Sequence, residues 1–414
     1  MFVLCLKHSD SRKTTSFDEL RLDINEELEN DSFEKDEEAV NEKQRSVISH
    51  LLSQVRIGMD LTKITLPTFI LESRSLLEMF ADFLAYPDLW LAIADGHTEE
   101  ERMIACLKWY LTSFRAGRNP VVAKKPYNPT LGEIFQSYYD MEYLFPQEGD
   151  NSTQDGPVPW AKERDVQVVA EQVSHHPPIS AFYAENSLKK MSMNGHVWTK
   201  SKFLGLSIGV SLIGKAVISM LDYNEQYTIT FPSCYGRSIL TTPWMELGGK
   251  TQITSTNGFT ADIEFHTKPF YGSKKHFVDA YVMAPGAESN RKPILCVKGE
   301  WNGVLEAQWT SYSGKADFTI DTNKLKPQPK RVRPLDQQDQ QESRRLWRNV
   351  TYYLSKNDVS KAAKYKSSIE QKQRDEERER KNMNCQWKPK LFREVSTDWL
   401  YVNQLEDRII SCNN

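Results

Sequence analysis

Residues 203–221 read FLGLSIGVSLIGKAVISML. The run is long enough for a membrane-spanning helix, which needs about 20 predominantly apolar residues. Its fine structure decides otherwise. Leu204, Leu206, Ile208, Val210 and Leu212 alternate with Gly205, Ser207, Gly209 and Ser211, and Lys215 interrupts the run. A period of two is that of a strand with one strongly apolar face. The stretch therefore reads as paired strands.

Working outward, the chain beyond Pro120 keeps this texture. VQVVAEQV, KSKFLGLSIGVSL, QYTITF, FTADIEF, HFVDAYVM, PILCVKGEW, GVLEAQWT and ADFTID are rich in β-branched and aromatic residues and bounded by Gly, Pro, Asn and Asp, the pattern of strands. Asn302-Gly303 between two such runs predicts a type I′ hairpin. Strand follows strand without crossover helices, so the sheet is mainly antiparallel, and a large barrel best removes its edges. No fixed-period repeat is visible, which argues against a propeller. Upstream, a helical block over 75–115 carries Leu76, Leu77, Phe80, Phe83 and Leu84, then Ile104, Leu107, Trp109, Tyr110 and Phe114, at helical spacings. Thr98 followed by Glu101 predicts a capping box at its last helix. The fold class is α+β, mainly antiparallel β.

The ends differ from this body. Residues 1–46 include an acidic, aromatic-poor stretch that reads as a disordered leader. VISHLLSQVRIGMDL, residues 47–61, repeats apolar residues at helical spacing and breaks at Gly58. KLKPQPKRVRPLD, residues 324–336, is a proline-spaced basic connector to a C-terminal helical region (324–414), whose final WKP, LFREV and DWLYV are aromatic enough to pack back onto the body. The 53 Lys and Arg against 56 Asp and Glu give a net charge of −3, which does not point to nucleic acid. Six cysteines stand singly with no CxxC pair, arguing against a zinc site or a disulfide framework and for a reducing cytosolic compartment. The opening residues do not form a signal peptide.

Three clusters could carry chemistry. In EQVSHHPPISAF, residues 171–182, two prolines force His175 and His176 into extended or turn backbone. Paired imidazoles with a pKa near 6.5 suit binding of a phosphate dianion. A metal would need further ligands at a recognised spacing, and a nucleophile would need an activated Ser or Cys, which Ser174 does not supply. In KKPYNPTLGEIF, residues 124–135, two X-Pro steps hold Lys125 and Asn128, a phosphate donor and a two-way hydrogen-bonding amide, in turn geometry. On the late helix, Lys366, Glu370 and Arg374 stand at i, i+4 and i+8, predicting one face. A proline-rich turn and a ladder of surface ion pairs are the plainer readings of the last two.

Together these motifs resemble the oxysterol-binding protein related family of lipid-transfer proteins. EQVSHHPP matches that family's fingerprint almost letter for letter, and LTKITLPTFILESRSLLE, KKPYNPTLGE, KGEWNG and the KSSIEQKQR helix follow in the family's order from about residue 47 to 392. The resemblance implies a lipid-binding domain over 47–414: a lid at 47–66, a large incomplete β-barrel at 120–323 enclosing an apolar tunnel, and flanking helices. It implies that Lys125, Asn128, His175, His176, Lys366, Glu370 and Arg374 hold the head group of phosphatidylinositol 4-phosphate. The LTKITLPTFILE wording is similar to the members that exchange phosphatidylserine for that lipid, and Ser201 matches a serine that helps bind phosphatidylserine. The implied protein is not an enzyme and has no cofactor and no metal. Its implied partners are membrane phospholipids or a sterol, and other family members, met peripherally on endoplasmic reticulum, Golgi or endosomal membranes. Longer members carry a pleckstrin-homology domain and an acidic two-phenylalanine motif; this chain has no room for the first, and SFEKDEE is a poor version of the second.

Overall fold

The structure, a computed structural model, describes residues 57–59, 71–116, 124–205, 207–238, 244–269, 274–286, 292–310 and 315–412. The acidic leader and most of the expected lid lie outside these residues.

In chain order the elements are β1 (Leu71–Ser75), α1 (Leu76–Ala81), α2 (Pro87–Leu91), α3 (Glu99–Ala116), β2 (Lys125–Tyr127), β3 (Ile134–Tyr139), β4 (Val166–His175), β5 (Pro178–Asn186), β6 (Met191–Phe203) and β7 (Ile208–Met220). There follow β8 (Glu225–Thr230), β9 (Ser233–Arg237), β10 (Trp244–Ser255), β11 (Thr260–His266), β12 (Phe277–Met283), β13 (Leu295–Glu300), β14 (Val304–Trp309), β15 (Phe318–Asp321) and β16 (Lys330–Arg331). The chain ends with α4 (Ser343–Ser355), α5 (Val359–Asn382), β17 (Phe392–Val395), β18 (Asp398–Tyr401) and α6 (Leu405–Cys412).

Fourteen strands form one antiparallel sheet in the order β15-β14-β13-β12-β11-β10-β8-β7-β6-β5-β4-β3-β16, with β9 bridging β10 and β7. Among the described residues its two edges, β15 and β16, do not pair with each other, so the barrel is incomplete. The segment that opened the sequence analysis pairs with β6 over the whole length of β7, from Phe203↔Ile208 to Met191↔Met220. The expectation of one continuous strand through KSKFLGLSIGVSL is corrected: a turn separates β6 from β7. There the Leu204 N–H donates to the Ser207 carbonyl at 2.8 Å, and Gly205, with φ of 89°, takes a conformation that a side chain disfavours.

Helices α1 and α3 pack against the inner face of one end of the sheet. Phe80 stacks on Phe182 with ring centroids 5.3 Å apart, and Phe114 meets Phe265 edge-on at 5.2 Å. The capping box is present: Glu101 N–H donates to Thr98 Oγ1 at 3.2 Å, and Thr98 N–H donates to Glu101 Oε2 at 3.3 Å. On the outer face, the C-terminal aromatics dock as expected. Tyr401 stacks on Tyr183 at 4.5 Å, and the buried Glu171 carboxylate accepts the Lys390 and Leu391 N–H groups at 2.8 Å each.

Two further expectations are corrected. Asn302-Gly303 does not form a type I′ turn, since neither residue has a positive φ. The connection runs through Trp301, which is fully buried, and placing that ring in the core needs a three-residue link. The basic connector is also more than a link, because β16 pairs with the end of β3. Lys330 is buried there, with Nζ 2.6 Å from Asp82 and 3.3 Å from Glu78. Burial alone would raise the Glu78 pKa, but Arg344 and Lys330 hold it below the usual carboxylate range. This ion cluster ties α1 to α4 and so joins the two helical regions.

Candidate functional site

The inner face of β7 changes character along its length. Ala216, Ile218 and Met220 are buried to 1% exposure or less. Ile208, Val210 and Leu212 share that face by the period of two but are only half-buried. Ser201 on β6 pairs with Val210 and so lies on the same face. Among the described residues this face is fully buried at its Ala216–Met220 end and only half-buried at its Ile208–Leu212 end. At the Ile208–Leu212 end, residues 57–59, the described part of the expected lid, meet the sheet. Gly58 N–H donates to the Phe203 carbonyl at 2.7 Å, and Phe203 N–H donates to the Met59 carbonyl at 3.1 Å.

The histidine pair sits in the hairpin between β4 and β5 at this same end, because β5 begins opposite Trp198 of β6. A register shift between Gln172 and Ser174 decides where His175 points. Before it Gln172 pairs with Ser180; after it Ser174 pairs with Ile179 and His175 with Pro178. One extra residue on β4 therefore turns His175 onto the face of Pro178, Ser180 and Phe182, the inner face. Strict alternation would have sent it outward with Val169 and Val173. The His176–Pro177 peptide is cis, and the two imidazoles lie 4.6 Å apart, edge to face. Burial, reinforced by the His176 charge, lowers the His175 pKa to about 4. The ring donates to the Pro129 carbonyl, while Nδ1 is buried without a hydrogen-bond partner among the described residues.

The proline-bounded loop is clamped beside the pair. Gly132 N–H donates to the Gln172 carbonyl, and Gln172 N–H donates to the Glu133 carbonyl, both at 2.9 Å. The Glu133 carboxylate is buried and accepts from Thr130 N–H at 3.0 Å, Ser343 Oγ at 2.7 Å and Trp347 Nε1 at 3.0 Å. Desolvation nevertheless raises its pKa. Gly132 has a φ of 76°, and a Cβ there would lie 2.3 Å from Trp387, so the bare backbone makes room for the indole. Tyr127 stacks on Trp347 at 4.6 Å, which holds β2 against α4, and Tyr353 stacks on Tyr365 at 5.3 Å, which holds α5 against α4.

This packing brings Lys125, Lys366 and Glu370 together. Lys366 and Glu370 form an ion pair. Lys125 is exposed on the rim, yet the surrounding protein still desolvates its amine, and this, with the neighbouring Lys366 charge, lowers its pKa. Asn128 is exposed in the same loop. Arg374 departs from the expected single face: it is exposed and donates to Gln371 Oε1 at 3.1 and 3.2 Å. Eight residues of helix leave about 80° between it and Lys366.

The body-facing stripe of α5 instead continues through Gln373, Glu377 and Arg380, which sequence reading missed. With His175, His176 and Trp387 these line a cleft of about 500 Å³. The helix is so polar that periodicity could not select them; a stripe drawn forward from Lys366 at i+4, i+7, i+11 and i+14 would have. No helix among the described residues is long and apolar enough to cross a membrane.

Comparison with known proteins bears on this arrangement. The family model described as oxysterol-binding protein matches residues 50–353. Oxysterol-binding protein-related protein 9 of Homo sapiens is 52% identical over 372 residues, covering 89% of this chain and 49% of that protein. Oxysterol-binding protein-related protein 10 of Homo sapiens is 48% identical, with 94% and 51% covered. The chain thus spans about half the length of the curated relatives it matches. Among solved structures, the Osh1 ORD domain in complex with cholesterol superposes with a TM-score of 0.69 at 23% identity, covering 90% of each chain. The Osh3 ORD in complex with PI(4)P from Saccharomyces cerevisiae gives 0.62 at 20% identity, covering 89% of this chain and 93% of that one.

Proposed function

The chain belongs to the oxysterol-binding protein family, and from that premise we propose that it is a lipid carrier. It extracts phosphatidylinositol 4-phosphate from one membrane and exchanges it for a second lipid, phosphatidylserine, at another. The observation that carries this reading is the bulge in β4, which turns His175 to the inner face toward the half-buried end of the sheet, near Lys125, Lys366 and Glu370.

Transfer energetics explain the division of labour. Lifting a two-chain lipid from a bilayer exposes on the order of 30 methylenes at about 0.8 kcal/mol each, about 24 kcal/mol in all. Four to six charge-assisted hydrogen bonds at about 1.5–3 kcal/mol each do not reliably offset that. The tails need an apolar enclosure, for which the half-buried face of Ile208, Val210 and Leu212 is suited, with Ser201 beside it for a serine head group. Lys125, Asn128, His175, His176, Lys366 and Arg374 hold the phosphorylated head group, and Glu370 orients Lys366. One tunnel holds one lipid, so exchange is competitive, and a gradient of the phosphoinositide drives the other lipid uphill. The lid closes over the loaded tunnel.

The carrier returns its lipid unchanged, and no enzymatic step is assigned. It works in the cytoplasm, peripherally on endoplasmic reticulum, Golgi or endosomal membranes at sites of close contact. The fold shared with a cholesterol complex favours a sterol as the alternative second lipid. Transfer between two liposome populations at catalytic protein concentration tests the proposal. Movement of labelled phosphoinositide one way and phosphatidylserine the other is expected; stoichiometric binding without turnover would contradict it.

A further inference from the structure

A chain of phenylalanine rings crosses the inside of the sheet where its inner face passes from buried to half-buried. Phe80 stacks on Phe182 of β5 at 5.3 Å, Phe182 meets Phe231 at 6.4 Å, and Phe231 meets Phe83 at 6.1 Å. Phe83 then meets Phe114 of α3 at 5.4 Å, and Phe114 meets Phe265 of β11 at 5.2 Å. All five separations fall in the range of favourable aromatic pairing. Small residues make room for the layer. Gly195 pairs with both Phe182 and Ala216, and a Cβ on Gly195 would lie 2.6 Å from the Phe182 ring and 2.7 Å from the Ala216 Cβ, so the ring lies across bare backbone.

The layer has two kinds of member. Phe80, Phe114, Phe182 and Phe265 are buried to 6% exposure or less, whereas Phe83 and Phe231 are half-buried. Phe231 follows Tyr227 and Ile229 by the period of two onto the inner face, and Thr230 pairs with Lys215, which sets Phe231 level with Gly214. The two rings therefore stand where β7 passes from half-buried Leu212 to buried Ala216. Ile208 and Gly214 are six residues apart on β7, about 20 Å at 3.3 Å per residue, or about 15 Å of depth for strands tilted by about 40°. Half the hydrocarbon core of a bilayer, the reach of one lipid chain, is also about 15 Å.

We propose that Phe83 and Phe231 are specificity-determining residues: they form the floor on which the acyl chains of the bound lipid end, so the protein selects its lipid by chain length as well as by head group. The proposal rests on the carrier reading and deepens it. A methylene that the floor excludes leaves the bilayer without being buried again, at about 0.8 kcal/mol, or about fourfold in binding.

Native mass spectrometry of the whole chain, after incubation with liposomes holding equal amounts of dimyristoyl, dioleoyl and dinervonoyl phosphatidylinositol 4-phosphate, reads the ratios of bound lipids. The wild type should favour dioleoyl over dinervonoyl by about tenfold or more. F231A lowers the floor and should raise the dinervonoyl-to-dioleoyl ratio about tenfold. F231W raises it and should increase the dimyristoyl-to-dioleoyl ratio. Damage to the fold lowers total loading and does not move the two variants in opposite directions. The floor is overturned if the wild type loads dinervonoyl as fully as dioleoyl, if neither variant changes the ratios, or if both shift them the same way; in each case the carrier reading stands. A wild-type chain that loads none of the three rejects the carrier reading and the floor with it.

Discussion

The two halves of β7 are one strand with one inner face, and they are used differently. From Ala216 to Met220 that face is buried against the helical layer; from Ile208 to Leu212 it is equally apolar but half-buried. An apolar face that the described residues only half bury is suited to binding. The contrast teaches that one end of this sheet is tightly packed and the other loosely, with the histidine pair placed toward the loosely packed end.

The largest effect should follow from replacing both imidazoles by carboxylates. His175→Glu with His176→Glu removes two donors and adds repulsion, so phosphoinositide extraction from liposomes should fall by about 100-fold or more, from a loss of at least 1.5 kcal/mol per contact. Undiminished extraction would break the link between the loosely packed end and the head group. Next, Ile218→Ala in the packed half should destabilise the fold by about 2–5 kcal/mol in denaturant unfolding, whereas Val210→Ala should cost well under half as much, because little packing is lost there. Equal costs would mean that both halves are packed alike. Leu212→Trp should leave the melting temperature nearly unchanged while lowering the amount of two-chain lipid bound, a pairing that distinguishes a filled container from a damaged core.

The smallest effect concerns acid. The folded His175 pKa of about 4 lies below the unfolded value of 6.5, so the unfolded chain takes up this proton first. The stability contributed by the neutral ring is complete above pH 6.5 and is lost as the pH falls from 6.5 to about 4. His175→Asn should flatten the stability profile in that window alone. A bound phosphate favours the protonated ring, so it should oppose the loss in the native protein.

Much of this was legible in the sequence. The period of two in Ile208–Leu212, the capping box at Thr98 and Glu101, and the extended backbone at the His-His-Pro-Pro turn all depend on local chemistry, and local chemistry is what a sequence displays. The remainder depends on partners distant along the chain. The bulge that turns His175 inward exists only as a mismatch between β4 and β5. Lys330 reads as a solvated linker residue until Asp82 and Glu78 meet it. Asn302-Gly303 carries a turn preference that the burial of Trp301 overrides. Gln373, Glu377 and Arg380 sit on a helix polar on every side, so only its packing against the histidine hairpin separates them from Arg374.

Native mass spectrometry of the purified chain after incubation with liposomes containing phosphatidylinositol 4-phosphate tests the central claim most directly. The account predicts one phosphoinositide per chain in the wild-type protein, displaced by phosphatidylserine and sharply reduced in Leu212→Trp. A chain that stays lipid-free, or a Leu212→Trp variant that loads as fully as the wild type, would contradict it.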